Sequence, residues 1–268
     1  MARFLLATPT WLLGLLLIVV LPMLVVLAQL GIRRRWPALV EGEQNDVVGF
    51  VIAVVGVIYA VLLAFVVIVA WETYDKAEGV VGQEASALRT VYRDSVGLPT
   101  ETRAPLQELV RRYAHEVVND SWPAMEKGLP GDPEAGDILQ EMAGTLSDAP
   151  ITKPAQQEFM AAETNRLNEL VSLRSQRLDF VRSGIPGILW TALIVGAIVT
   201  VGFALLFGVQ RAALQLLMVG SLAALVGVLL FVAVGFNYPF SGDLSVHPEP
   251  FERVLSDFGG TPPSDGGD

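Results

Sequence analysis

The sequence predicts an all-α membrane protein in which a helical, soluble insert separates two pairs of transmembrane helices. Three observations predict this fold class. Hydrophobic residues make up 52% of the 268 residues and charged residues only 17%, a balance that soluble globular proteins do not show. Four long apolar runs lie in two pairs along the chain. The polar stretch between the pairs has the apolar periodicity of α-helices, without strand-like alternation of useful length.

The apolar runs are long enough to cross a bilayer. Three of them hold 25 residues each without a charge: Val47–Trp71, Ile185–Val209 and Ala212–Phe236. A helix of that length rises roughly 37 Å, which exceeds a hydrocarbon core of about 30 Å. The first run, Trp11–Ala28, holds 18 residues and includes Pro22. Because three arginines follow it at residues 33–35 as a stop-transfer flank, we interpret it as a retained span and not as a secretory signal.

These runs divide the chain into four segments. We expect an N-terminal transmembrane pair at residues 1–71, a soluble acidic helical insert at 72–184 and a C-terminal transmembrane pair at 185–236. The insert holds 12 basic and 19 acidic side chains, a net charge of −7. A tail follows at 237–268, on the same side of the membrane as the insert. Its end, GGTPPSDGGD, has no apolar anchor and is predicted to be disordered.

Three helices are predicted within the insert. The first carries an apolar stripe at helical spacing, and the pattern stops at Trp122-Pro123: Leu106, Leu109, Val110, Tyr113 and Val117. The second opens at Asp132-Pro133-Glu134, where an N-cap precedes a proline and an acid. The third runs from near Pro154 to Arg182. Nothing breaks the helical pattern between residues 71 and 92, so the second transmembrane helix is expected to continue into the insert.

No enzyme class fits the chain. It contains no cysteine and two histidines, His115 and His247, which are not spaced as metal ligands. No nucleophile elbow, phosphate-binding loop or dinucleotide-binding turn occurs. We therefore predict no catalytic residue, no metal and no cofactor. A formal charge of −10 without a basic stripe also argues against nucleic acid as a partner.

Ion coupling inside the bilayer is disfavoured, but a pore is not. The later three spans contain no Asp, Glu, Lys, Arg or His, whereas proton relays, voltage sensors and charged substrate sites keep such residues in their spans. A hydrophobic constriction needs no charge at its narrow point, and charged rings at the mouth bias which ion enters.

Small residues form strips along two of the spans. The strip on the second span comprises Gly49, Ala53, Gly56, Ala60 and Ala64, and the strip on the fourth span includes Gly220 and Gly227. Such strips in membrane helices commonly pack against a neighbouring helix, and we favour packing over pore lining. Beyond the second span, Glu72, Asp75 and Glu78 lie on roughly one helix face. They are either ordinary interfacial charges or acidic rings, if several copies surround an axis.

Three stretches give the sequence a resemblance to a known family. They are GVIYAVLLAFVVIVAWE at residues 56–72, the Glu84-Ala85 step, and the turn formed by Tyr238, Pro239, Phe240, Ser241 and Gly242. In their order and spacing the chain resembles the bestrophin-like family of prokaryotic membrane proteins, which is distantly similar to the bestrophin ion channels. The resemblance covers nearly the whole chain. The residues of the turn alone indicate a proline-initiated turn after a helix end.

The resemblance implies a homo-oligomeric ion channel, with a pentamer as the first expectation. The neck residues implied by position are Tyr59, Leu63 and Val67. The implied vestibule acids are Glu72, Asp75 and Glu84, to which the spacing adds Glu78. The resemblance also favours an insert on the cytosolic side. The basic residues near the span ends do not decide the orientation.

The chain departs from bestrophins in two respects. It lacks an aromatic-rich neck, and after the fourth span it lacks the dense acidic cluster that binds calcium in animal bestrophins, so calcium gating is not expected. An acidic mouth raises the local concentration of cations, and we therefore expect preference for cations over anions.

A function of another class stays open. The chain could be a non-conducting, membrane-anchored scaffold or sensor whose acidic insert binds a partner protein or a cation. Both hypotheses predict a multi-pass protein of the prokaryotic plasma (inner) membrane in contact with lipid. The channel hypothesis adds further copies of the chain and small ions as partners.

Overall fold

The computed structural model describes residues 9–37, 45–131, 133–209 and 211–259, and every regular element within these ranges is helical. Four helical stretches in them are long and apolar enough to cross a membrane. The predicted fold class is thereby confirmed. Asp132, predicted to cap a helix, and the chain beyond Gly259, predicted to be disordered, lie outside the described residues.

The chain separates into two compact units. The membrane unit combines Met1–Thr73 with Gly184–Asn237, and the soluble unit combines Tyr74–Ser183 with Tyr238–Asp268. The borders of the soluble unit fall within two residues of those expected for the insert. The described residues of the tail, 238–259, are grouped with the soluble unit.

The first membrane crossing consists of two α-helices joined by a π-helical turn. Helix α1 spans Thr10–Leu15, the π-turn spans Leu16–Val20, and helix α2 spans Leu21–Arg35. Pro22 has no N–H group with which to bond the carbonyl of Ile18, so the regular hydrogen-bond ladder cannot continue through this point. The wider turn accommodates the interruption.

The other crossings belong to three helices. Helix α3 spans Asn45–Asp94, helix α8 spans Gly187–Leu206, and helix α9 spans Ala212–Gly235. The uninterrupted α3 confirms that the second transmembrane helix continues well beyond the membrane-length run. A non-helical segment from Ser183 to Pro186 precedes α8, where the sequence contains a glycine and a proline.

The fourth crossing packs closely against the first. A Cβ atom on Gly220 would lie 3.1 Å from Val26 of α2, and one on Gly227 would overlap the carbonyl oxygen of Leu17 in the π-turn. Only a residue without a side chain fits the second position. The buried core of the membrane unit lies between the second, third and fourth crossings and consists of Tyr59, Leu63, Val66, Leu193, Val226 and Leu230.

The soluble unit is a helical bundle around one apolar core. Besides the later part of α3, its α-helices are α4 (Thr100–Glu116), α5 (Trp122–Glu126), α6 (Glu134–Ser147), α7 (Pro154–Arg182) and α10 (Glu249–Asp257). The predicted start of α6 and both ends of α7 are confirmed. The predicted stop at Trp122-Pro123 is wrong, because the chain stays helical through a π-turn at Val117–Ser121 and then α5. Pro123 lies in the first turn of α5, directly after the π-turn, which accommodates its missing N–H group.

The tail contributes a helix that the sequence analysis did not predict. Helix α10 buries Phe251, Val254 and Leu255, and Phe258 beyond it stacks on Tyr92 with 3.9 Å between ring centroids. These four tail residues follow the i, i+3, i+4, i+7 spacing of one helix face, so the signal was present in the sequence.

We expect Gly227→Ala to destabilise the protein by about 1–3 kcal/mol, because the added methyl group forces the first and fourth crossings apart. Gly202→Ala in α8 is the matched control, since a Cβ at Gly202 meets no atom within 4 Å. That control should be neutral or slightly stabilising, because alanine favours helix. Apparent thermal unfolding in detergent measures both variants. Equal unfolding temperatures for the two variants would contradict the close packing.

Candidate functional site

Helix α3 has two distinct faces within the membrane unit. One face, which includes Tyr59, Leu63, Val66 and Ala70, is buried against the other crossings. The opposite face is apolar, uncharged and exposed in a single copy of the chain. Its members are Phe50, Val54, Val57, Val61, Phe65 and Ile68.

The three predicted neck residues do not share the exposed face. Tyr59 is 5% exposed and Leu63 only 2%, whereas Val67 is half-buried at the border of the buried face. The ring of Tyr59 lies against Gly196 of α8, where any Cβ atom would overlap it. Two of the three side chains therefore contribute to packing inside one copy and do not face outward.

The small residues of the second crossing lie between the two faces. Ala53, Ala60 and Ala64 are exposed, and Gly49 and Gly56 are half-buried. This strip, residues 49–64, is therefore largely uncovered in a single copy. The small residues of α9 differ, because Gly220 is half-buried and Gly227 buried, both against the first crossing.

The four predicted vestibule acids fall into two groups. Glu72, Asp75 and Glu78 are exposed on α3. Glu84, two turns further along the helix, is fully buried in the core of the soluble unit. Its burial argues against contact with a water-filled vestibule.

Glu84 is instead half of a buried ion pair. Its Oε2 atom accepts a hydrogen bond from Nε of Arg177 (2.7 Å), and its Oε1 atom accepts one from Nη2 (3.1 Å). The hydroxyl of Tyr113 donates a third bond to Oε1 (2.6 Å). Nη1 of Arg177 lies 3.1 Å from the sulfur of Met125, and the guanidinium lies 5.9 Å from the ring centre of Phe251. Helices α3, α4, α5, α7 and α10 therefore meet at one charged group.

The environment of this cluster keeps its charges fixed. Burial, followed by the charge of Glu84, raises the pKa of Tyr113 well above its ordinary value of 10.0, so the hydroxyl stays neutral. Burial alone would lower the pKa of Arg177, but the adjacent Glu84 carboxylate raises it above its ordinary value. Arg177 therefore stays charged beside the Glu84 carboxylate. The sequence analysis did not identify Arg177 as the partner of Glu84. The available signal was its position within the apolar stripe of α7, where a charged residue is unusual.

A second buried carboxyl in the soluble unit has no such partner. Glu163 lies on the inward face of α7 between Met160 and Leu167, and its side chain is fully buried. Neither carboxyl oxygen has a hydrogen-bond partner within the described part of the chain. Burial, with a smaller contribution from Asp94, raises the pKa of Glu163 to about 8, while Arg166 opposes the shift. The carboxyl is therefore largely protonated at neutral pH.

The turn after the fourth crossing joins parts of the soluble unit. Phe240 is buried and lies edge-on to Trp122, with 5.6 Å between ring centroids. The hydroxyl of Ser241 donates to the carbonyl of Glu126 (2.8 Å). Gly242 has a φ of 88°, in the region that favours glycine. These contacts fix the start of the tail, with Tyr238 and Pro239 leading into the turn, and Val246 N–H bonds the Pro239 carbonyl (2.7 Å).

Asn237, which the sequence analysis did not select, contacts the non-helical segment before α8. Its Oδ1 atom accepts a hydrogen bond from the backbone N–H of Ile185 (2.7 Å). That N–H belongs to the segment before α8 and has no helical partner. A polar residue directly after an apolar span is the only sequence signal for this contact.

No cluster of three or more potential metal ligands occurs among the residues that the structure describes. On α3, the exposed apolar face is followed along the same helix by the exposed acids Glu72, Asp75 and Glu78.

The family comparison decides the class of protein. The family model for the Bestrophin-like domain matches residues 19–251. The chain belongs to the bestrophin-like family. The resemblance noted in the sequence is confirmed, and membership supports a channel-type membrane protein in place of an enzyme.

Solved structures share the fold of this bestrophin-like chain. A crystal structure of a bacterial bestrophin homologue from Klebsiella pneumoniae matches with a TM-score of 0.70 at 14% identity, covering 91% of this chain and 100% of that one. A mutant of a Klebsiella pneumoniae homologue matches with a TM-score of 0.67 at 13% identity, covering 95% and 100%. A crystal structure described as a membrane protein variant gives 0.68 at 16% identity, covering 91% and 99%. No curated protein matches the chain.

We expect Arg177→Leu to cost about 3–5 kcal/mol, because it leaves the Glu84 carboxylate buried without a counter-charge. The matched control is Arg166→Leu on the same helix, whose ion pair with Glu169 is exposed and should contribute less than about 1 kcal/mol. Adding Glu84→Leu to Arg177→Leu should recover part of the loss. Thermal unfolding of the wild type, Arg177→Leu, Glu84→Leu and the double variant measures the coupling, and strictly additive losses would contradict a paired arrangement.

Stability should depend on pH through Glu163. The folded pKa of about 8 lies above the ordinary value of 4.5, so the folded state holds a proton that the unfolded state releases as pH rises. The stabilisation is complete below pH 4.5 and is lost as pH rises through 8, by up to about 5 kcal/mol. Glu163→Gln should remove this slope between pH 5 and 9, whereas the exposed Glu158→Gln should retain it. Parallel profiles for wild type and Glu163→Gln would contradict the assignment.

Proposed function

We propose that this chain forms a homo-oligomeric ion channel in which several copies surround a water-filled axis lined by α3. Membership of the bestrophin-like family supports the class of function. One observation on the chain itself carries the placement: the uncharged face from Phe50 to Ile68 stays exposed in a single copy. It rises about 27 Å, close to the hydrocarbon thickness of about 30 Å.

The constriction lies on this exposed face in the proposal, and not at Tyr59 and Leu63. Val54, Val61 and Ile68 follow at intervals of seven residues and so lie on one line along the helix, opposite the buried face. A ring of such aliphatic side chains around an axis restricts water and ions by dewetting. Val67 lies off this line.

The strip of small residues provides the contact between copies. Ala53, Ala60 and Ala64 lie beside the proposed lining and are exposed in a single copy. Small side chains allow neighbouring helices to approach closely, which is the usual basis of helix association in a bilayer. We take a pentamer as the working stoichiometry because bestrophins assemble in this way.

The acids beyond the span bias the channel towards cations. Asp75 continues the line of Val54, Val61 and Ile68 after a further seven residues, and Glu72 and Glu78 flank it on α3. Repeated around an axis, these carboxylates raise the local concentration of cations. Glu84 is not part of this ring in the proposal, because it is buried in an ion pair with Arg177. The proposal places the protein in the plasma (inner) membrane with the acidic insert in the cytosol, an orientation that rests on the family alone.

Reconstitution into liposomes tests the channel. We expect the mass of the assembly to correspond to several copies of the chain, enough to surround an axis. We also expect a potassium flux whose reversal potential follows the cation gradient. Val61→Ser should raise the flux by making the constriction easier to wet. Val195→Ser on α8 is the matched control, because Val195 is also exposed but lies on another helix. Asp75→Lys should shift the reversal potential towards chloride.

Several results would contradict the proposal. A monomer or a plain dimer without ion flux would favour the anchored scaffold or sensor. An equal effect of the two serine variants would show that Val61 faces lipid and not water. A reversal potential that follows chloride in the wild type would retain the channel but overturn cation preference.

A further inference from the structure

An apolar slot opens at the end of the membrane unit where the first and second crossings are joined. It has a volume of about 380 Å³ and lies between α3, the end of α8 and the start of α9. The lining residues used below are Gly49, Ile52, Phe207, Val209, Gln215 and Met218. Gln215 is the only side chain in this set that carries a polar group, and it is buried.

The backbone at the edge of this slot is locked in place by side chains. Asn45 and Gly208 form a reciprocal pair, in which Asn45 Nδ2 donates to the Gly208 carbonyl (2.6 Å) and Gly208 N–H donates to Asn45 Oδ1 (2.9 Å). Gln215 Nε2 donates to the carbonyl of Phe207 (2.5 Å). The slot is therefore a built feature of the unit and not a gap between mobile segments.

A guanidinium lies at the polar edge of the slot. Nη1 of Arg33 donates to the carbonyl of Val209 (3.0 Å) and to Oε1 of Gln215, two residues that line the slot. Nε and Nη2 make no hydrogen bond with a described residue, and no described carboxylate pairs with Arg33. The side chain is half-buried, and Arg34 and Arg35 beside it are exposed. A half-buried cation with unused donors next to an apolar slot is suited to a ligand that combines an anion with a hydrocarbon chain.

We propose that this slot binds an anionic phospholipid of the surrounding bilayer. One acyl chain occupies the slot between α3 and α9, and the headgroup phosphate accepts hydrogen bonds from the unused donors of Arg33. Basic pockets between transmembrane helices recognise anionic headgroups in this way. The proposal does not depend on ion conduction, because lipid retention is measured without it.

Native mass spectrometry of the full chain in detergent tests the site. Phosphatidylglycerol and phosphatidylcholine with identical acyl chains are compared, and the wild type should retain phosphatidylglycerol about fivefold better. Arg33→Gln should reduce this preference to near unity, whereas Arg35→Gln, the same change of charge at an exposed position two residues further along, should leave most of it. Gly49→Leu fills the slot and should weaken the retention of both lipids. The oligomeric mass and unfolding temperature of each variant show that it is folded.

Other outcomes would overturn the site. Equal retention of both lipids by the wild type would remove the headgroup contact. Equal losses in Arg33→Gln and Arg35→Gln would show diffuse surface charge, and unchanged retention in Gly49→Leu would show an empty slot. Displacement of the lipid by inorganic phosphate would show a site for the anion alone. Glu41 and Glu43, between the first and second crossings, lie outside the described residues. A preference for phosphatidylglycerol that appears only after both are changed to Gln would mean that these carboxylates pair with the guanidinium of Arg33 in place of the lipid.

Discussion

The buried ion pair between Glu84 and Arg177 determines how the soluble unit is arranged. Its atoms contact α3, α4, α5 and α7, and the ring of Phe251 in α10 covers the guanidinium. A lone carboxylate or guanidinium at this place would be strongly unfavourable, so each helix must come close enough to satisfy the pair. The cluster thereby fixes which side of α3 points inward.

Helix α3 contributes one buried face to each of the two units. A stripe of buried residues runs along α3 at intervals of three and four, with one wider step after Ala70: Tyr59, Leu63, Val66, Ala70, Ala77, Val81, Glu84, Leu88 and Val91. Val80, Ala85 and Ala87 beside it are buried as well. An interval close to 3.5 residues keeps one face inward over many turns. Within the membrane unit, the face of α3 opposite the buried residues, with Val61 at its centre, stays exposed in a single copy.

The sequence predicts the helices well but not their rotation. Inside the apolar run every face of α3 is hydrophobic, so amphipathic periodicity is absent and Tyr59 and Val61 look alike. The sequence shows which face of α3 is buried only beyond the membrane-length run, where Ala77, Val81 and Leu88 alternate with polar residues. Extending that periodicity backwards would have placed Tyr59 and Leu63 inside. The same helix periodicity predicts that Glu84 is buried. It does not predict whether a buried acid has a partner, because the partner comes from a distant part of the chain: Glu84 has one in Arg177, and Glu163 has none among the described residues.

The two π-turns show how local backbone chemistry sets the close contacts. Each ends two residues before a proline, at Val20 before Pro22 and at Ser121 before Pro123. A proline removes one helical hydrogen bond, and the wider turn that absorbs the defect displaces the backbone from the regular helical path. A glycine from another part of the chain lies at each displacement: Gly227 against Leu17, and Gly131, whose added Cβ would lie 3.4 Å from Ser121 Oγ. The two glycines are needed for different reasons: a Cβ on Gly227 would overlap the carbonyl oxygen of Leu17, whereas a Cβ on Gly131 would only reach ordinary contact with Ser121, and the φ of 72° at Gly131 is what favours glycine there.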